Sequence, residues 1–276
     1  MIGRMAHPAF HFYVHVDKKT DIRPYLYLAS LPNVYLIRNR VKVVWGGYAT
    51  VVATLESVRE ILQSGRSYDY IHLMSGQDYP IRPAAEIYDF FCLNAGREFV
   101  QYEHFDDWAE ESYPRIREYH LTNCRFPGRY YIQRLMNSIL PVRVPPGKME
   151  FYGSSMFWAL SAGCLQSVLK RIDGNVRFRQ FLQLTWGADE FFFQTMVMNS
   201  AYRDRVINDN LLFLDRKKGA PHPNLMTLSH LAAIKKSEKL FARKFENTAD
   251  NAVLDEIDRW TERKTGKTGP ASIGKF

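Results

Sequence analysis

Two adjacent acidic residues, Asp189 and Glu190, open an apolar segment that runs to Met198 and that we predict to be helical. Amide dipoles in a first helical turn favour the ionised form of a carboxylic acid. Such a carboxylate could take the proton from an attacking hydroxyl group, which is the work of a general base. The simpler alternative is that Asp189 or Glu190 only caps the helix.

Basic residues near the carboxyl terminus offer the opposite charge. Arg243 and Lys244 are adjacent, and Arg216 lies upstream of them. Fixed cations can stabilise negative charge that develops on a leaving phosphate group, and stabilisation of this kind is usually the largest part of catalysis. The alternative for these basic residues is a solvated helix face.

The sequence contains no recognisable metal-binding motif. A hard cation is commonly bound by an Asp-x-Asp pair, and the chain contains none. The nearest pattern is Glu256-Ile257-Asp258, in a predicted C-terminal helix, where a solvated face is the better explanation. The cysteines Cys92, Cys124 and Cys164 are widely spaced and form no metal-binding motif. We therefore expect no metal and no other cofactor.

Two loops that follow predicted strands carry polar side chains. Asp17 ends the first strand, and ligands of open α/β sheets bind beyond the carboxyl ends of strands. His15 in the same strand is equally well explained as a core histidine with its hydrogen bonds satisfied. The second loop lies between a strand and a helix, and Gly76 would allow a ligand close to its backbone. Its polar residues are Ser75, Gln77 and Asp78. The alternative for this loop is a turn in which Asp78 makes local backbone hydrogen bonds.

A sugar ring has polar edges and apolar faces, so hydroxyl and carboxylate groups beside aromatic rings are candidates to bind it. The candidate substrate-binding residues of this kind are Ser154, Ser155 and Trp158, and Glu103 could face an acceptor. Core packing explains Trp158 equally well.

Predicted strands and helices alternate along the chain. The strands are predicted at 10–16, 33–38, 70–74, 98–102, 156–161 and 206–214. The helices are predicted at 48–62, 84–93, 162–172, 178–184 and 188–198. This alternation favours an α/β fold. Residues 103–146 read as irregular, and so long a loop is either functional or contains helices that the pattern does not reveal.

The composition is that of an ordinary globular protein. Apolar residues make up 46% of the 276 residues and charged residues 24%, which excludes a disordered, collagen-like or coiled-coil chain. No apolar run is long enough to span a membrane. We expect one domain over residues 1–276, with residues 265–276 as a frayed tail. The net charge of +8 favours anionic partners.

Five segments, in this order, resemble the core-2/I-branching N-acetylglucosaminyltransferase and peptide O-xylosyltransferase family. They are V-H-V-D-K-K at 14–19, S-G-Q-D-Y-P-I at 75–81, Y-G-S-S-M-F-W-A-L at 152–160, W-G-A-D-E-F-F-F-Q-T at 186–195 and L-F-A-R-K-F at 240–245. Each string alone is a weak signal, but the shared order makes the resemblance specific. The chain looks like a compact, bacterial-type member of this family, and the resemblance covers roughly residues 10–255.

The resemblance implies a GT-A-like, Rossmann-like mixed sheet flanked by helices. It implies a nucleotide-sugar donor and an inverting transfer that needs no divalent metal. In the family's pattern Glu190 is the catalytic base and Asp189 supports it as a substrate-binding residue. Lys244 contacts the donor phosphates with Arg243 and Arg216 in lesser roles, and V-H-V-D helps form the nucleoside pocket. The loop of Trp45 resembles a donor-side loop, which makes Trp45 a further substrate-binding candidate. Only about nine residues precede the first strand here, so we expect either a missing first strand or a start downstream of the natural one.

The leading hypothesis is a metal-independent inverting glycosyltransferase. It would move N-acetylglucosamine or xylose from a UDP-sugar to a carbohydrate hydroxyl, on an extracellular polysaccharide or its lipid-linked precursor. One alternative is a nucleic-acid-binding protein, because aromatic and basic residues interleave at 125–134. However, no nucleic-acid motif is recognised, so we expect no such partner. Another is an inactive sugar-binding relative, against which the intact Glu190 argues.

Location is predicted from the termini. The first residues contain no apolar stretch suited to a signal peptide, which predicts a cytoplasmic protein. The basic tail at 259–275 predicts weak peripheral association with the inner face of the membrane, and a solvated terminus is the alternative.

Overall fold

The computed structural model describes residues 1–108, 112–216, 223–246 and 251–265. The strands in these ranges are β1 Phe12–Val14, β2 Val34–Leu36, β3 Tyr70–His72, β4 Asp78–Pro80, β5 Glu98–His104, β6 Tyr152–Ser161, β7 Val206–Ile207, β8 Leu212–Leu214 and β9 Phe241–Arg243. The α-helices are α1 Ala49–Leu62, α2 Ala84–Leu93, α3 Phe105–Trp108, α4 Ser112–Arg117, α5 Arg129–Ile139, α6 Ala162–Asp173, α7 Val176–Gln183, α8 Phe192–Met198, α9 Leu231–Lys236 and α10 Asn251–Thr265. Short 3-10 helices occupy Ile2–Met5, Arg23–Ser30, Ala188–Glu190, Arg203–Arg205 and Leu228–His230.

Three sheets organise these elements. The central sheet has the strand order β3-β6-β5-β7, with β6 antiparallel to both neighbours and β5 parallel to β7. A second sheet has the order β4-β9-β8, in which β8 and β9 are parallel and β4 is antiparallel to β9. Strands β1 and β2 form a parallel pair. The mixed α/β architecture with helices against the sheets confirms the predicted GT-A-like fold class.

Strand β6 is buried on both faces. Trp158 and Leu160 point into one core, where they pack with α1, α6, α7 and α8. Phe157 and Ala159 point into a second core with Phe90 of α2 and Phe241 of β9. Successive side chains of a strand alternate between the two faces of a sheet, which explains why this strand reads as an almost continuous apolar run.

The end of β6 is fixed by a buried carboxylate. Glu98 is fully buried at the start of β5 and accepts hydrogen bonds from the Ser161 amide at 2.7 Å and hydroxyl at 2.6 Å. The Ser161 hydroxyl oxygen in turn accepts from the Cys164 amide at 3.1 Å and so caps α6. The strand therefore passes into the helix at a defined angle.

A bulge interrupts the pairing of β5 with β6. Between the pairs Val100↔Trp158 and Tyr102↔Ser154 the register shifts, with four steps along β6 against two along β5. The fully buried Gln194 of α8 donates its Nε2 hydrogens to the carbonyl oxygens of Gln101, at 3.3 Å, and Ser155. Bulges re-aim the strand that carries them, here at the predicted sugar-binding serines.

The segment of Glu190 differs from the predicted helix at 188–198. Residues Ala188–Glu190 form a 3-10 turn, and α8 begins only at Phe192. At Phe191 the backbone has φ −140 and ψ −16, outside the helical region, and its fully buried ring packs against Phe105. Glu190 therefore lies in a tight turn and not in the first turn of a continuous helix.

The solvated helix face, which was the alternative for Arg243 and Lys244, is not what the structure shows. Arg243 ends β9, and the β4 strand that pairs with β9 lies in a segment predicted as a loop. The irregular stretch 103–146 contains α3, α4 and α5. No helix in the described ranges is long and apolar enough to cross a lipid bilayer. Residues 266–276, with most of the predicted frayed and basic tail, lie outside the described residues.

Candidate active site

Glu190 is held by an arginine that the sequence did not single out. Its Oε2 accepts a hydrogen bond from Arg115 Nη1 at 2.7 Å. The Arg115 side chain is 5% exposed, whereas that of Glu190 is 41% exposed. Among the described residues, Glu190 Oε1 accepts no hydrogen bond, so the buried cation fixes one carboxylate oxygen and leaves the other available.

Two tryptophans enclose this arginine in an arrangement we call the Trp–Arg–Trp stack, formed by Trp108, Arg115 and Trp186. The guanidinium carbon lies 4.7 Å from the Trp108 ring centroid and 4.3 Å from that of Trp186, within cation–π range. Two glycines make the close approach possible. A Cβ on Gly153 would lie 2.3 Å from the Trp108 ring, and one on Gly187, where φ is +64, would lie 2.3 Å from Arg115 Nη1.

The loop that carries Trp45 packs against the stack. The Gly187 amide donates to the Gly46 carbonyl oxygen at 2.7 Å. A Cβ on Gly46 would lie 2.7 Å from Trp186 Nε1. The Trp45 ring is 76% exposed and meets the Trp186 ring edge to face at 6.3 Å. The structure thus places the candidate Trp45 beside Glu190's loop, with an open aromatic face.

Asp17 and His15 support the chain that leads to Trp45. Asp17 Oδ1 accepts from the Lys19 amide at 2.9 Å and from the Val43 amide at 3.4 Å. Desolvation opposes ionisation there, but these bonds and the Lys19 ammonium lower the pKa of Asp17. His15 Nε2 accepts from the Val41 amide at 2.9 Å, and burial lowers the pKa of the ring. The satisfied-histidine alternative therefore describes His15.

Asp189 has a different environment from its neighbour. Burial, followed by repulsion from the Glu190 carboxylate, raises the pKa of Asp189 to about 6. Two adjacent carboxyl groups with divergent surroundings are typical of sites where acid and base roles are divided.

The loop between β3 and β4 is fastened to β9 by Arg243. Arg243 Nη1 donates to Ser75 Oγ at 2.6 Å and to Asp78 Oδ1 at 2.7 Å. Asp78, 2% exposed, also accepts from the Ser75 amide at 2.6 Å. Burial raises the pKa of Asp78 although Arg243 opposes the shift. The turn alternative for Asp78 is thus observed, and the polar groups of Asp78 and Arg243 are engaged with the fold.

The Lys244 side chain has fewer contacts within the fold than those of Asp78 and Arg243. It is 25% exposed, and Nζ lies 3.3 Å from Glu246 Oε1. The same oxygen accepts from Gln77 Nε2 at 3.3 Å. The candidate residues Gln77 and Lys244 therefore contact the same exposed carboxylate, that of Glu246. A more highly charged anion could displace this carboxylate from Lys244.

Arg216 and Lys244 leave the sheet at the same edge. Leu214 of β8 is in parallel register with Arg243 of β9, and both basic residues follow these strand ends. The carboxyl ends of parallel strands are the common position for ligands in α/β folds.

Strand β6 links the two groups of residues. Gly153 touches Trp108 of the stack, and the ring of Phe157 lies 4.4 Å below the Arg243 guanidinium. Four residues of strand span at most about 13 Å. The half-buried Ser154 and Ser155 lie between these contacts.

The remaining candidates differ in access. Glu103 is exposed and lies opposite Gly153 in the β5–β6 register, so it borders the stack. Trp158 is 1% exposed and packs 4.7 Å from the Phe193 ring within the core. A sugar could not reach it, so the substrate-binding prediction for Trp158 is wrong and core packing explains the residue.

Sequence reasoning missed Arg115 and Gln194. Arg115 lies 75 positions from Glu190 in a stretch without periodicity, so no local pattern could join them. Gln194 was within a quoted motif, but its bridging of a bulge needs the fold. Among the described residues no three His, Cys, Asp or Glu side chains gather as a metal site would require.

Comparison with known proteins shows which family this chain resembles. A family model described as core-2/I-branching enzyme matches residues 3–240. Xylosyltransferase oxt of Drosophila melanogaster is 26% identical over 279 residues, which cover 92% of this chain and 30% of that protein. Xylosyltransferase 2 of Homo sapiens is 26% identical over 285 residues, covering 94% of this chain and 31% of that protein. The chain thus spans about a third of the length of the curated relatives it matches.

Proposed function

The chain belongs to the core-2/I-branching enzyme family of glycosyltransferases, and from that membership we propose that it transfers a sugar from a UDP-sugar to a hydroxyl group of a carbohydrate acceptor, with inversion and without a metal ion. The observation that carries this proposal is the pairing of a half-exposed Glu190 with the buried Arg115. A carboxylate fixed through one oxygen and open at the other is what general-base catalysis needs.

The reaction is a single displacement. Glu190 takes the proton of the acceptor hydroxyl while the acceptor oxygen bonds to the anomeric carbon. The bond from that carbon to the diphosphate oxygen breaks, and UDP leaves from the opposite face. Arg115 is a positioning residue, because its guanidinium holds Glu190 Oε2 and so directs the free oxygen.

The leaving diphosphate needs positive charge. Lys244 and Arg216 supply it in this proposal, because both follow the carboxyl ends of neighbouring parallel strands. Arg243 contributes indirectly by holding Ser75 and Asp78 in place. The missing Asp-x-Asp pair supports a mechanism in which these side chains do the work that a metal ion does elsewhere.

The donor sugar is proposed from the relatives. Because they are called xylosyltransferases, UDP-xylose is the first donor to assay and UDP-N-acetylglucosamine the second. We place the reaction in the cytoplasm, since Cys92, Cys124 and Cys164 are all unpaired thiols, as a reducing compartment favours.

The test is the Glu190→Gln variant. The amide keeps an oxygen for Arg115 but cannot accept the acceptor's proton, so turnover should fall by about 10² to 10⁴. UDP affinity and the melting temperature should remain close to wild type. The matched control is Glu150→Gln, which alters an exposed glutamate just before β6 and should leave turnover unchanged.

Two results would contradict the proposal. If Glu190→Gln transfers sugar at nearly the wild-type rate, another carboxylate is the base. If the wild-type chain binds UDP but transfers no sugar from either donor to any acceptor, the protein is an inactive sugar-binding relative.

A further inference from the structure

Helix α5 (Arg129–Ile139) is attached to the protein by its polar face. Gln133 accepts a hydrogen bond from the Leu121 amide at 3.0 Å. The Asn137 side chain accepts from the Tyr119 amide at 2.7 Å and donates to its carbonyl oxygen at 3.0 Å. No residue of this helix is buried. The usual arrangement of an amphipathic helix, with apolar side chains inward, is therefore reversed.

The outer face is apolar. Residues four apart lie on one side of a helix, which aligns Tyr131, Leu135 and Ile139. Exposed apolar side chains continue beyond the helix end. We call this surface the α5 patch; it consists of Tyr131 (74% exposed), Ile132, Leu135, Ile139 (69%), Val142 and Val144 (82%). Single exposed apolar residues are ordinary, but a contiguous patch marks an interaction site.

The segment that carries the patch is positively charged, and the exposed Glu118 and Glu150 lie just outside it. Residues 119–149 contain no Asp or Glu. Their exposed cations are Arg125, Arg134 and Lys148. Apolar side chains combined with flanking arginines and lysines are typical of elements that lie in the interface of an anionic membrane.

The patch is firmly connected to the candidate active site. The buried Arg143, between Val142 and Val144, donates to the carbonyl oxygens of Glu118 at 2.7 Å and Leu184 at 2.6 Å, and to Thr185 Oγ1 at 3.2 Å. Thr185 immediately precedes Trp186 of the Trp–Arg–Trp stack. A surface that binds the α5 patch would therefore lie at a fixed position relative to Glu190.

We propose that the α5 patch binds the surface of an anionic lipid bilayer, with its apolar side chains among the acyl chains and its cations at the headgroups. The segment 119–149 has exposed cations and no carboxylate of its own, so two copies of it would repel each other, which argues against a symmetric dimer. Five of the six side chains of the patch are aliphatic and Tyr131 supplies its one ring, whereas single-stranded nucleic acids stack successive bases on several rings, which argues against a nucleic acid. Membrane binding itself does not depend on the proposed activity. Only its consequence, that Glu190 meets an acceptor at the membrane, rests on the proposed function.

The experiment is cosedimentation of the full chain with phosphatidylcholine vesicles that contain either no phosphatidylglycerol or about 30% of it. Wild type should bind the anionic vesicles and lose binding as salt rises. The variant Tyr131→Ser/Leu135→Ser/Ile139→Ser should reduce partitioning about tenfold or more, because three apolar side chains no longer enter the bilayer. The variant Arg125→Gln/Arg134→Gln should reduce it about 25-fold on anionic vesicles alone, at roughly fivefold per arginine.

The control Arg23→Gln/Arg38→Gln removes the same charge from two exposed arginines outside the patch and should retain most of the binding. Melting temperatures of all variants, and their UDP affinity, should match wild type, which separates loss of membrane binding from misfolding and from failure of the proposed function. The proposal is overturned if the wild-type chain does not bind anionic vesicles, or if the serine variant binds them as well as wild type does. It is also overturned if the patch instead binds single-stranded oligonucleotide or a second copy of the chain.

Discussion

At the scale of single residues, the neighbours Asp189 and Glu190 show how burial separates two identical functional groups. The Glu190 side chain is paired with Arg115, whereas desolvation and the Glu190 carboxylate raise the pKa of the half-buried Asp189. A carboxyl group whose pKa rises to about 6 binds its proton more tightly in the folded chain than in the unfolded chain. Folding is therefore favoured by a protonated Asp189 and disfavoured by an ionised one.

This linkage predicts a pH-dependent effect of Asp189→Asn. The stabilisation by protonated Asp189 is present below pH 4 and is lost as the pH rises through about 6. The variant lacks this loss, so its melting temperature relative to wild type should rise between pH 4 and 6 and then stay level. A shift of two pH units corresponds to at most about 3 kcal/mol, or roughly 5 °C for a chain of this size. Thermal scans at pH 4 to 8 measure this difference in melting temperature. A difference that does not change with pH would contradict the prediction.

A second residue-scale prediction concerns Lys244→Ala. The change removes a cation from the proposed diphosphate site, which in the proposed mechanism has no metal ion to compensate. We expect UDP affinity to fall by about tenfold to a hundredfold, the usual value of a hydrogen bond to a charged group. Isothermal titration of UDP measures it, with Lys235→Ala on the exposed face of α9 as the matched control. If both variants bind UDP equally, Lys244 has no role in donor binding.

At the scale of elements, strands β4 and β9 are joined by a buried ion pair. Asp78 and Arg243 are opposite each other in the antiparallel register, and the carboxylate is 1% exposed. Because Arg243 also holds Ser75, the shape of the loop before β4 depends on this one guanidinium. This geometry gives Arg243 a structural role that requires no contact with a ligand.

We therefore expect Arg243→Met to destabilise the fold by about 3 to 5 kcal/mol, since it leaves a buried carboxylate without its cation. The double variant Arg243→Met/Asp78→Asn should recover part of this loss, because the uncompensated charge is gone. Urea unfolding at pH 7 measures both. A double variant that is no more stable than Arg243→Met would mean that the two side chains are not coupled.

The same two strands show what the sequence could not reveal. Helix α2 was predicted with its observed bounds, since its apolar spacing and the Pro83 before it are local signals. Strands β4 and β9 have three residues each and pair across more than 160 positions, so neither has a periodicity of its own. Likewise Glu190 was found through a motif, but Arg115 was found only through the fold.

At the scale of the whole molecule, the fold shows where the cations that give the net charge of +8 are located. One group of cations follows β8 and β9, and another surrounds the α5 patch. Arg115, Arg143 and Arg243 are instead enclosed within the fold, where they position other groups. The net charge predicted anionic partners, and we propose a small ligand for the first group of cations and a membrane surface for the second.

The last prediction distinguishes these partners in the intact chain. A ligand that binds only the folded state raises the melting temperature, and at one hundred times its dissociation constant it adds about 2.7 kcal/mol, or roughly 5 °C for a chain of this length. UDP should produce this rise equally with excess EDTA and with manganese, because in the proposed mechanism side chains rather than a metal hold the diphosphate. Lys244→Ala should require more UDP for the same rise, and a single-stranded oligonucleotide should cause none. A rise with UDP that EDTA abolishes and manganese restores would mean that a metal ion completes the site, and the leaving group would then have to be stabilised by that ion and not by Lys244 and Arg216.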